Sequence, residues 1–115
     1  MSPFTLRPDG EAFETDLMEI IISCQRAYFA GVQQIESGEF MADLDGPSRV
    51  LPEKGKIEVL QSLARFPKLC RFLVLHELIH NKLYRKYGSP QNEADKEFRD
   101  EVKRLWELGA YEDLM

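Results

Sequence analysis

The sequence predicts an α+β fold in the order long helix, small sheet, helix, helix. Three observations carry that expectation. Near the start, apolar residues recur every three or four positions, as on one face of a helix. The middle breaks into short alternating stretches separated by Gly and Pro turns. From Pro67 the helical period returns, and with one interruption it runs almost to the end. A chain of 115 residues is the size of a single domain, and residues 1–115 are read as one.

In the first helix Phe13, Leu17, Ile20, Ile21, Cys24, Tyr28 and Val32 share a face. Asp9 is its expected N-cap, with Glu11 and Glu14 near the positive end of the dipole. Ser37-Gly38 supplies a stop, so the helix is expected from Gly10 to Glu36, backing the whole core. Two or three short strands follow. Phe40, Ala42 and Leu44 alternate before the break at Asp45-Gly46-Pro47. Val50-Leu51 is closed by Pro52, Glu53-Lys54-Gly55 turns the chain, and Ile57 and Val59 alternate between Lys56 and Leu60. So small a sheet must lean on the helices.

The second helix opens at Pro67, whose missing N–H costs nothing in a first turn. Phe72, His76, Ile79, His80, Leu83 and Tyr87 form its stripe, and Gly88 closes it as a C′ glycine. Ser89-Pro90 then opens the last helix as N-cap and N1, with Ala94, Phe98, Val102, Leu105 and Trp106 as its buried stripe and Gly109 as its stop. Trp106 is expected in the core, Asn81 and Lys82 on the helix surface, and residues 110–115 as a frayed end.

Composition narrows the functional class. A hydrophobic share of 43% with 30% charged residues excludes disordered and low-complexity chains. The longest apolar runs, residues 20–24 and 72–75, fall far short of the ~20 that a membrane span needs. No basic segment followed by an apolar one opens the chain, so a cytoplasmic protein without a signal peptide is expected. A net charge of −5 opposes nucleic-acid binding through phosphate contacts. Cys24 and Cys70 read as two buried thiols rather than a disulfide or half of a structural zinc site.

One pentapeptide carries chemistry. The chain's only two histidines stand four apart in His76-Glu77-Leu78-Ile79-His80, an H-E-x-x-H pattern within a predicted helix. Four residues make about 1.1 turns, so both imidazoles leave the same face and can meet at one Zn²⁺. Glu77 is rotated off that axis. It suits a general base toward water held by the ion, and then a general acid toward the leaving amine.

Ile57-Glu58-Val59-Leu60, Phe66-Pro67 and Phe72-Leu73-Val74-Leu75-His76-Glu77-Leu78-Ile79-His80-Asn81 resemble the edge strand and active-site helix of zincin metallopeptidases. The small size is similar to that of the minimal soluble gluzincins, the mini-gluzincins, and more distantly to SprT-like proteases. The resemblance implies a minimal zincin-like domain with a backing helix, an edge strand that pairs with an extended peptide or protein substrate, and a last helix bearing the third zinc ligand. With no third histidine and no metzincin extension after His80, that ligand is a downstream carboxylate. In the usual register it falls on Gln91, a poor ligand. Chemistry favours Glu93, whereas the helical face favours Asp95, and both stay open. Tyr84 and Tyr87 are candidate donors to a tetrahedral intermediate, with core packing as the plainer role. The resemblance also suggests self-inhibition by Glu112 or Asp113 of the tail. The rival to a zinc peptidase is a non-catalytic binding or regulatory module on the same scaffold.

Overall fold

The structure, a computed structural model, describes residues 4–5, 14–88 and 95–114. A two-residue strand, β1 (Phe4–Thr5), pairs antiparallel with β2 (Glu14–Thr15), which leads into helix α1 (Leu17–Tyr28). Strands β3 (Ser37–Met41), β4 (Ser48–Leu51) and β5 (Lys56–Leu60) form a sheet in the order β3-β5-β4. β3 runs parallel to β5 and β4 antiparallel. Helix α2 (Pro67–Tyr87) and helix α3 (Lys96–Glu107) complete the α+β, zincin-like fold.

The first helix is shorter than its apolar period suggests. Asp16, not Asp9, is the N-cap, its carboxylate accepting from the Glu19 N–H at 3.1 Å, and Glu14 belongs to β2. At the other end the helix stops at Tyr28 because the chain doubles back. The buried Gln25 side chain accepts from the Ile35 N–H at 2.6 Å and donates to the Ile35 carbonyl at 3.1 Å, doing for that loop what a strand partner would do. Ser37-Gly38 opens β3 instead of ending a helix. A Cβ on Gly38 would sit 2.6 Å from Ile21 Cδ1, so glycine lets β3 press against α1.

Helix α2 has the expected ends, Pro67 in the first turn and Gly88 at φ 75° after the last. It runs through the middle of the core, meeting α1, the sheet and α3. Leu73, Val74, Leu75, Leu78, Ile79 and Leu83 are therefore all buried, a wider arc than the expected stripe, while Phe72 and Tyr87 are nearly half exposed. Asn81 is buried rather than at the surface, because its Nδ2 donates to the Gln33 carbonyl at 3.1 Å. Lys82 spans to Glu101 of α3 at 2.7 Å.

Helix α3 begins at Lys96 with Asp95 as N-cap. The expected start at Ser89-Pro90 lies outside the described residues. Phe98 and Leu105 are buried, but Trp106 is 57% exposed and is not core. Gly109 closes the helix at φ 81°, with Gly109 N–H bonding Trp106 O and Ala110 N–H bonding Leu105 O, a Schellman pair. Up to Leu114 the tail does not fray. Ala110 and Tyr111 are buried, and a 3₁₀ turn at Glu112–Leu114 packs on α2.

Cys24 and Cys70 are free and buried, and that burial pushes both thiols above their ordinary pKa. No helix among the described residues is long and apolar enough to cross a membrane.

Candidate metal centre and peptide cleft

Packing of α2 against α1, the sheet and α3 fixes the directions of its side chains, and His76 and His80 point between β4 and α3, partly exposed. Their Nε2 atoms are 3.2 Å apart. Two nitrogens bound tetrahedrally to one zinc ion at 2.0–2.1 Å need a separation of about 3.3 Å, which this spacing matches. Phe98 of α3 backs both rings, with centroids 5.1 Å from His76 and 4.8 Å from His80.

The Glu77 carboxylate points away from this pair toward the sheet. It is 5% exposed, and its Oε2 accepts a hydrogen bond from Ser48 Oγ at 2.7 Å. His76, Glu77, His80, Phe72 and Tyr84 form one side of a cleft of 730 Å³, and residues 45–50 with Pro52 form the other. Tyr84 Oη donates to Glu53 Oε1 at 2.7 Å, and this bond to a carboxylate raises the phenol above its ordinary pKa. Tyr87 is not among the residues that line the cleft.

The strand bordering the cleft is β4. Residues Ile57 to Leu60, read from the sequence as the edge, lie in β5, which is paired on both sides and has no edge to offer. On β4, the Leu60 N–H bonds the Pro47 carbonyl at 2.9 Å. Alternation in an antiparallel ladder then makes 49/58 and 51/56 the other hydrogen-bonded pairs, so Ser48 and Val50 turn their N–H and C=O groups to the outer edge, which no described strand covers. Arg49 ties β4 to β5 through the buried Glu58, which also pairs with Lys56 of its own strand. Burial alone would raise the Glu58 carboxyl, but hydrogen bonds from Arg49 and Lys56 outweigh it and keep the group below its ordinary pKa.

Among the described residues no third His, Cys, Asp or Glu joins the imidazole pair in a group able to hold a metal. Gln91 and Glu93 lie outside the described residues, and Asp95 stands one turn before Phe98 on the helix that covers both rings. On the far side of His76, α2, α3 and the tail enclose an apolar groove of 390 Å³ that includes Phe72, Phe98, Trp106, Tyr111 and Leu114. Glu112 is exposed, its carboxylate curled back toward Gly109. Sequence reasoning missed Ser48 altogether. A serine after a Gly-Pro turn carries no local sign that it will meet a helix residue 29 positions on.

A small mixed sheet, a long helix bearing the paired histidines and a last helix over their rings frame the site. No family model matches the chain, and no curated protein does. Among solved structures it is similar to jannalysin, the metallopeptidase zymogen of Methanocaldococcus jannaschii. The TM-score is 0.60 over 88% of this chain and 91% of that one, with 14% sequence identity. At that identity the likeness establishes the fold.

Proposed function

We propose that this chain is a zinc-dependent peptidase that hydrolyses peptide bonds, with His76 and His80 as metal ligands and Glu77 as general base and acid. The observation that carries the reading is the 3.2 Å approach of the two Nε2 atoms, with the Glu77 carboxylate one residue around the helix at the wall of the same cleft. A bound zinc ion would supply Lewis acidity toward a carbonyl oxygen and toward water. Glu77 accepts the proton of the attacking water and returns it to the departing amine. The outward N–H and C=O groups of Ser48 and Val50 hold the peptide extended along β4. Glu93 is the favoured third ligand and Asp95 the alternative.

The deciding experiment measures zinc and turnover together on the purified chain, with unfolded β-casein as the test substrate. Wild type is expected to hold one zinc per chain, and His76→Ala and His80→Ala to lose it. Glu77→Gln should keep the metal and lose about 10²- to 10⁴-fold in rate. Zinc binding without turnover in wild type would leave the binding-module reading. Undiminished zinc in both histidine variants would move the metal elsewhere.

The third ligand is settled by affinity. Glu93→Gln should weaken zinc more than Asp95→Asn, because an anionic oxygen on the ion counts for far more than a solvated neighbour. The opposite order assigns the role to Asp95.

A further inference from the structure

Resting on the peptidase reading, we propose that Ser48 is a positioning residue that links the docking of peptide on β4 to the placement of the Glu77 carboxylate. The residue faces two ways. Its hydroxyl donates to Glu77 Oε2 at 2.7 Å, reaching from the sheet to a glutamate that is 5% exposed. Its backbone N–H and C=O face the outer edge, uncovered among the described strands, because 47/60 and 49/58 are the bonded pairs on either side of it. Both neighbours are held: Pro47 by its carbonyl bond to Leu60, and Arg49 by its 2.5 Å ion pair with Glu58.

A carboxylate on a flexible side chain needs a fixed plane before it can take a proton from a defined direction. One strong donor on one oxygen supplies that plane. Ser48 is such a donor, and its own torsions tighten when a guest strand bonds to its backbone. Peptide that reaches Ser48 therefore sharpens the aim of Glu77 as well as adding affinity. Binding energy gained away from the scissile bond then appears in kcat as well as in KM.

The experiment compares zinc-loaded wild type, Ser48→Ala and Ser48→Thr. Its substrates are β-casein-derived peptides that span one cleavage site, either long enough to run along β4 or trimmed short of it. In wild type, lengthening should raise kcat and lower KM. In Ser48→Ala, lengthening should still lower KM, while kcat stays flat and sits about tenfold below wild type on the long peptide. Ser48→Thr, which keeps the hydroxyl, should restore the rise. Zinc stoichiometry should be equal in all three.

A second measurement needs no turnover. In the zinc-free protein, NMR side-chain couplings of Glu77 should report the same rotamer populations in wild type and Ser48→Thr, and different ones in Ser48→Ala. Wild-type length dependence of kcat in Ser48→Ala, or unchanged Glu77 couplings in that variant, overturns the proposal and leaves the peptidase reading standing. Full activity in Glu77→Gln overturns the reading itself.

Discussion

The two helices that meet at the histidine pair are held in opposite ways. α2 buries nine residues and is gripped by α1, the sheet and α3. α3 buries only Phe98 and Leu105, and otherwise leans on the Lys82–Glu101–Arg104 cluster and on Arg104 over the Phe29 ring. His76, Glu77 and His80 all belong to the gripped helix, so their relative geometry is set by the core. What α3 contributes, Phe98 against the rings and Asp95 at its N-terminal end, depends on few contacts. The histidine pair is set by the core, and its cover rests on fewer contacts.

The contrast can be broken by substitution, and the largest effect is expected in α2. Leu78→Ala, at a site 1% exposed, should cost about 2–5 kcal/mol in urea unfolding. A loss below ~1 kcal/mol would show that α2 is less firmly packed than its burial indicates.

Next in size is the strut between the helices. Burial alone would raise the Glu101 carboxyl, but hydrogen bonds from Arg104 and Lys82 outweigh it and hold the group below its ordinary pKa. A carboxyl lowered by folding stabilises the protein above the ordinary carboxylate range and loses that contribution as pH falls through the folded value. Glu101→Gln should therefore cost up to about 1 kcal/mol near neutral pH, and its deficit should shrink as pH drops below about 4. A deficit that stays constant with pH would assign the contact to packing rather than charge.

Smallest of all, Trp106→Ser should shift stability by no more than ~0.5 kcal/mol, since the ring is 57% exposed. A loss several times larger would mean that α3 is anchored along its whole length, and the comparison would fail.

Legibility in the sequence followed the same division. α2 was readable end to end because both boundaries carry local punctuation, Pro67 and Gly88, and because H-E-x-x-H needs only helical spacing to place its side chains. The resemblance of residues 57–81 to zincins pointed to the observed fold, yet it put the edge on the wrong strand. Which strand lies outside is a matter of sheet order, and β5 reads much like β4 until β3 is seen on its other side. α1 was overextended for a related reason. Val32 keeps the period, but Gln25 bonded to Ile35 has already turned the chain, and a long-range side-chain bond leaves no periodic trace. Trp106 shows the limit of arguing from residue type, since a large apolar ring at a stripe position still ends up half in water.

The open edge of β4 also bears on solubility. Unpaired strand edges invite copies of a chain to add to one another and grow into fibrils. Here the strand is four residues long, and Pro52, the next position after Ser48 and Val50 whose N–H would face outward, has none to extend the ladder. A second strand on this edge finds two outward pairs of backbone groups to join, and elongation past Val50 lacks a donor. The shortness of β4 limits how far a second copy of the chain could add to that edge.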